Sequence, residues 1–324
     1  MNGFDQKFKD FPDYIIGITK EIWEDRGIGT LNHYYAPEVV VRSPIGIVTG
    51  NQSVIASTMA TCHEFPDRQL FGADVIWSDD PEYGLLSSHQ LITTATHSQD
   101  GQFGKATGKK WTVRVIADCA AKENAIYDEW LVRDYGGIVR QMGLDPAEFA
   151  ASLIETEGGV DKAKPVYLPE NDVDGGYNAR GNSNEWGQKY ADILTRIMHH
   201  DFDAINAEYD RAVMGEYAGG FSTLGRDASI SFWLGLRSSF PHATFGIHHQ
   251  IGMDADMLSP RAAIRWSLDG LHEGWGSFGK PSGKRVHVMG MSHAEFGPWG
   301  LRRECALVDE IAIWKQILMQ LGSD

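Results

Sequence analysis

The chain has 324 residues, more than one compact domain usually holds, and 42% of them are hydrophobic, with 10 Trp, 11 Tyr and 14 Phe to build large cores. Its 44 Asp and Glu outnumber 29 Lys and Arg, and the net charge of −15 repels phosphate backbones and anionic lipid, which argues against nucleic acid or membrane as partners. Cys62, Cys119 and Cys305 are odd in number and widely spaced, so neither a disulfide framework nor a zinc knuckle is expected, and a reducing cytoplasm fits best.

Residues 1–13 break up their few apolar side chains with Asp5, Lys7, Lys9 and Asp10, unlike a signal peptide, and no run of 18 apolar residues follows. Ile15, Ile16, Ile18, Ile22 and Trp23 then recur at helical spacing over 14–25, and a second helix is expected over 51–62. Strand-like runs follow at 74–77, 84–98, 110–117 and 125–134, separated by polar or Gly-rich turns. Residues 155–184 are rich in Gly, Pro, Asn and Asp without periodicity and read as a linker; Asp172, Asp174 and Gly175 lack the later ligands of a calcium loop. Beyond it the order repeats, with helices at 186–206 and 226–236 and strands at 244–251, 262–271, 285–294 and 306–314.

The repetition is explicit in the residues. His97 to Lys109 and His272 to Lys284 share H-x-x-x-G-x-F-G-K-x-x-G-K, seven identities in thirteen positions at an offset of 175 (272 − 97 = 175). The same offset pairs Tyr34 with Tyr209, Gly50 with Gly225, Phe65-Pro66 with Phe240-Pro241 and Asp79 with Asp254. An offset held without a gap from 34 to 110 marks a duplicated domain. The expected organisation is domain 1 over 1–154, a linker over 155–184 and domain 2 over 185–324. Helices followed by a meander imply α+β, each copy a curved, mostly antiparallel sheet wrapped by about three helices.

Thr96-His97, Gly101, Phe103-Gly104 and Thr107-Gly108-Lys109 resemble the signature of the SnoaL-like polyketide cyclase family, of the nuclear transport factor 2-like superfamily. Phe65-Pro66-Asp67, residues 129–134 and Gln141-Met142-Gly143 match further family elements in order, and copy two keeps Phe240-Pro241, His272, Gly276, Phe278-Gly279 and Ser282-Gly283-Lys284. The resemblance implies a cone-shaped fold with a pocket between sheet and helices. It also implies cofactor-independent chemistry on a small carbonyl- or hydroxyl-bearing molecule, as isomerase, cyclase or lyase. A non-catalytic binding protein built as a covalent pseudo-dimer is the alternative, and epoxide or ester hydrolysis a weaker one. Pairing of the two domains within the chain is expected, and a homodimer stays open.

Asp134 is the position that resembles the family's acid/base aspartate, on a strand face shared with Asp128, Trp130 and Val132; a turn-capping role is the competing reading. Aligning Asp128-Glu129 with Asp309-Glu310 places Lys315 opposite it, so copy two is expected to lack the acid. His97 either steadies a substrate oxygen or holds the hairpin it opens, and Asp118 is the third catalytic candidate. Candidates for binding substrate are Tyr34, His63, His89, Gln90 and Trp130 in copy one, and His248, Arg265, His287 and His293 in copy two. If their strand faces point into the cone, the second pocket is cationic. Neither a metal nor a cofactor is expected: His287 and His293 are too far apart along one strand to share an ion, and the Gly-Lys turns lack the order of a phosphate loop.

Overall fold

The computed structural model describes residues 1–322. Helix α1 (Phe11–Trp23) starts at Asp10, whose carboxylate accepts from the Asp13 N–H, and buries Phe11, Tyr14, Ile15, Ile18 and Ile22 along one side. After α2 (Leu31–Tyr34) come strands β1 (Tyr35–Ser43) and β2 (Gly46–Thr49), helix α3 (Asn51–Glu64), and strands β3 (Gln69–Asp80), β4 (Gly84–Thr96), β5 (Lys110–Lys122) and β6 (Ala125–Arg133). They form one sheet in the order β2-β1-β6-β5-β4-β3, antiparallel except where β1 meets β6. Helices α4 (Tyr135–Gln141) and α5 (Pro146–Thr156) close this half.

The second half repeats the order. Helices α6 (Glu185–Met198) and α7 (Asp203–Glu208) lead to β7 (Tyr209–Tyr217), β8 (Phe221–Leu224), α8 (Arg226–Ser239), β9 (Thr244–Met253), β10 (Arg261–Leu271), β11 (Arg285–Gly297), β12 (Gly300–Val308) and α9 (Glu310–Leu321), with sheet order β8-β7-β12-β11-β10-β9. Gly50 and Gly225, equivalent residues, precede α3 and α8 at φ of +79° and +92°, a backbone state that a side chain disfavours. The single helix expected over 186–206 is two, because the chain turns at His200, whose φ is +72°. The strand expected over 306–314 ends at Val308, where the Asp309 carboxylate caps α9 by accepting from the N–H groups of Ile311 and Ala312.

The shared thirteen-residue motif is the β4–β5 connection and its copy. His97 N–H donates to the Lys109 carbonyl and Gly108 N–H returns to the His97 carbonyl; His272, Lys284 and Gly283 repeat both bonds. Gly101 is needed because a Cβ there would sit 2.2 Å from the Glu64 carboxyl carbon, and Glu64 occupies that space to accept from the Phe103 N–H at 2.8 Å.

The two sheets meet face to face. Ile116 and Val132 of the first pack with Met289, Met291, Cys305 and Leu307 of the second, together with Tyr167 from the connecting segment. Ion pairs frame this seam: Arg114 to Glu216 at 2.6 Å, Arg265 to Asp118 at 3.2 Å and Lys315 to Glu157 at 2.6 Å. Each sheet's other face is covered by helices; α9 also packs against the first half, with Ile311, Trp314 and Leu318 beside Phe103, Trp111 and Ile138. No helix among the described residues is long and apolar enough to cross a membrane.

Candidate functional site

A cavity of about 390 Å³ lies between the first sheet and its helices. Alternation along β6 turns Glu129, Leu131 and Arg133 into it and sends Asp128, Trp130 and Val132 to the seam. Glu129 is buried beside the Tyr35 hydroxyl at the start of β1. Burial raises its pKa; the nearby Tyr35 hydroxyl and the positive field of Arg133 offset this only in part. The Tyr35 phenol is itself held well above its ordinary range by burial and then by the Glu129 charge, so it remains a donor.

Arg68 enters the same cavity from the turn after α3, donating from Nε to the Thr93 Oγ1 at 3.0 Å, with its guanidinium 5.2 Å from the Trp23 ring. Thr58 and His63 of α3 and Trp111 of β5 complete the polar wall. The Thr58 hydroxyl and the Trp111 indole N–H are buried there without a hydrogen-bond partner.

The equivalent rung of the second half is solid. Glu129 pairs with Cys119 and Val41, and Glu304 with Ala294 and Gly215, so the two carboxylates correspond (304 − 129 = 175). Glu304 accepts four bonds: from the hydroxyls of Tyr190 at 2.9 Å, Tyr209 at 2.6 Å and Tyr217 at 2.7 Å, and from the Trp233 Nε1 at 3.1 Å. Tyr217 and Trp233 stand where the first half has Ser43 and Thr58, and Trp266, in the place of Leu91, lies over Gly290. The bulky rings fill the space that is open in the first half.

The structure places most of the site residues expected from the sequence outside this cavity. His63 lines it. Tyr34 is in the α1–α2 core with its hydroxyl 3.3 Å from Glu21, and His97 lies against Phe65 with Nδ1 3.2 Å from the Thr107 hydroxyl, its Nε2 3.5 Å from the Glu64 Oε1 without hydrogen-bond geometry. The others gather at the seam. Asp118 faces Arg265 and His249; His293 bonds the Ser88 hydroxyl at 2.9 Å; Gln90 lies on the rim with His293 and Asp74. Burial holds His89 down to about 4, with the charge of His293 adding to this. Trp130 is stacked between the guanidinium groups of Arg42 and Arg265, at 4.5 and 3.9 Å. His248 and His287 are bonded to Ser267 at 2.8 Å and Asp269 at 2.7 Å in a seam groove of about 630 Å³, partly walled by the connecting segment.

The cationic faces of β10 and β11 therefore point away from the second cone. Alternation tells which residues share a face; the apolar residues between them, Ile264, Trp266, Leu268 and Val288, win the inner face because α6 and α8 cover it. Asp172, from the calcium-like string, is ion-paired to Arg42 at 2.5 Å, and Asp174 accepts from the Gly176 N–H. Among the described residues no group of three His, Cys, Asp or Glu is arranged to hold a metal ion.

Asp134 is a helix cap at the seam. Its Oδ1 accepts from the N–H groups of Gly137 at 2.9 Å and Gly219 at 2.8 Å, and its Oδ2 from Gly220 at 2.7 Å. Burial pushes it up to about 6 against these bonds. Its counterpart is Asp309, another cap, held up to about 7 by burial. The pairing with Lys315 is corrected: Lys315 is a residue of α9, 1% exposed and bonded to Glu157. The offset never grows from 175 to 181, because β12 ends six residues before the alignment of the two Asp-Glu pairs requires. Kept at 175, it points to Glu129 and Glu304 as the acids shared by both copies, the signal the sequence reading missed.

No protein-family model matches this chain, and no curated protein does. Solved structures are similar to it over part of its length. IdmH from Streptomyces antibioticus, described as a candidate polyketide cyclase, is 19% identical, with 41% of this chain matched to 98% of that one at a TM-score of 0.37. TsrD from Streptomyces laurentii is 16% identical over 42% of this chain and 98% of its own, at 0.36. A SnoaL-like polyketide cyclase from Agrobacterium tumefaciens is 21% identical over 41% and 97%, at 0.32. Each of these chains is matched over nearly its whole length by about two fifths of this one.

Proposed function

We propose that the first half is a cofactor-independent general acid/base enzyme acting on a small carbonyl-bearing molecule, with Glu129 as the proton-transferring group. The observation that carries this is a buried carboxylate on the wall of an open cavity, its pKa raised by burial, beside the protonated Tyr35. Glu129 would take the proton from a carbon next to the carbonyl. The C–H electron pair becomes the enolate double bond and the carbonyl π pair moves to oxygen. Return of the proton at another carbon gives an isomer; attack of the enolate carbon on a second carbonyl closes a ring, and Glu129 then hands its proton to the new alkoxide. Asp134 has no place in this scheme, because three backbone amides occupy its carboxylate away from the cavity.

The second reading, a non-catalytic binding protein, is favoured by the filled second cone and the extensive seam, which suit a covalent pseudo-dimer. Loss of α-proton signals in D2O, followed by NMR over a panel of small ketones and keto acids, separates the two. Wild-type protein is expected to accelerate exchange for a subset of the panel, and Glu129→Gln to slow it by about 100-fold or more. Exchange at the buffer rate throughout, with binding retained, leaves the binding reading.

A further inference from the structure

Arg68 and Arg133 are two cations on one cavity, and neither has a carboxylate within ion-pair distance among the described residues. Arg68 is 8% exposed and its one hydrogen bond runs from Nε to Thr93, so both terminal nitrogens lack a protein acceptor. Other buried arginines are treated differently by this fold. Arg42 is paired with Asp128 and Asp172, and Arg265 with Asp118. Arg237, without an ion pair, donates to the carbonyls of Phe240, Pro241 and Ala243. A guanidinium taken out of water without a counter-charge is costly, and here a second one faces it; burial and then the Arg133 charge hold Arg68 down to about 10.

The fold does not require either residue. The positions equivalent to Arg68 and Arg133 in the second half are Ala243 and Val308, and that cone is closed. The cations thus accompany the open cavity, together with the unpartnered Thr58 hydroxyl and Trp111 N–H. Arg133 and Glu129 are four residues apart on β6, about 13 Å along the strand, which sets an anion-binding end and a proton-transfer end.

We propose that the cavity takes an organic carboxylate, its anionic end between Arg68 and Arg133 and its reactive carbon toward Glu129. This rests on the reading of Glu129 for the reactive end alone; the carboxylate-binding end stands on the arginines. At about 390 Å³ the space suits a small or medium-sized acid, and its walls of Trp23, Phe65 and Trp111 suit an apolar or aromatic body.

The test uses matched pairs: phenylacetate, 4-phenylbutanoate and cinnamate against their own carboxamides, titrated calorimetrically into the full chain. The acids are expected to bind at least tenfold tighter than their amides, and Arg133→Gln to remove that preference, with Arg68→Gln as the second variant. Equal binding of acids and amides, or binding of none of the acids, overturns the proposal, and neither outcome depends on a variant folding. Glu129→Gln separates the two readings. Acid binding kept while α-proton exchange is lost supports both; an acid preference in wild-type protein that catalyses no exchange leaves the anion site standing and removes the enzymatic reading.

Discussion

Glu129 and Glu304 occupy the same rung of the same strand in the two halves, and their surroundings are opposite. Glu304 is enclosed by three tyrosine hydroxyls and an indole N–H, a closed network in which the carboxylate has no free lone pair to offer a ligand. Glu129 keeps one of those neighbours, Tyr35, which holds the place of Tyr209 because β1 and β7 correspond at 174, one residue short of the offset that pairs Tyr209 with Tyr34 in the sequence; otherwise it faces empty space, since Ser43 and Thr58 replace two large rings. One duplication thus carries both solutions to a buried acid: saturate it and it becomes part of the core, or leave it short of partners beside a cavity and it is available for chemistry. The difference is made by side-chain volume on α3 and β1, at Thr58 and Ser43, 71 and 86 residues before the acid in sequence (129 − 58 = 71, 129 − 43 = 86).

The largest effect should come from cutting the closed network. Glu304→Ala leaves four buried donors without an acceptor and is expected to destabilise the chain by about 4 kcal/mol or more in urea unfolding, whereas Glu129→Ala should cost less than about 1 kcal/mol. Equal losses would mean that both carboxylates are structural and would break the comparison.

The two strand-end caps provide the next test. Asp134 and Asp309 have folded pKa values raised to about 6 and about 7, above the ordinary 3.8, so the folded state holds their protons more tightly than the unfolded chain does. Their contribution is fully present below about pH 4 and is lost as pH rises through the folded values, by about 3 kcal/mol for Asp134 and about 4 kcal/mol for Asp309. Asp309 caps with one oxygen, so Asp309→Asn should keep the helix start and flatten its part of the pH profile. Asp134 uses both oxygens, and Asp134→Asn, which turns an NH2 toward the Gly220 N–H, should destabilise at every pH. An unchanged profile in Asp309→Asn would show that its proton is not linked to folding.

The smallest expected effect is a transplant. Thr58→Trp puts the second half's ring into the first cavity, and should weaken binding of any cavity ligand by about tenfold or more while the protein stays folded, measured by the same acid titrations. Binding that survives the ring would place the ligand elsewhere, with the seam groove beside Arg265 the next candidate.

Much of the architecture was legible before any coordinates. The 175-residue offset, the helical spacing of Ile15, Ile18 and Ile22, and the strand runs after Gly84 and Lys110 are local patterns, and each became the element it indicated. Strands β1, β2, β7 and β8 and the helices that follow β6 and β12 were not read, since short edge strands and apolar runs such as 310–321 look alike over a few residues. Among the site candidates, His63 reached the cavity, while Asp118, His89, Arg265, His287 and His293 went to the seam.

What the sequence determined by itself was the duplication, the fold class and which residues share a strand face, because repeat offset and period-two alternation are properties of the chain alone. Which face became the cavity wall was decided by tertiary structure. Both faces of β6 carry acids and apolar groups in alternation, so its composition does not choose between Asp128, Trp130 and Val132 on one side and Glu129, Leu131 and Arg133 on the other. The choice is made when helices cover one face and the second sheet covers the other, and the burial energy of whole layers outweighs the preference of any single residue.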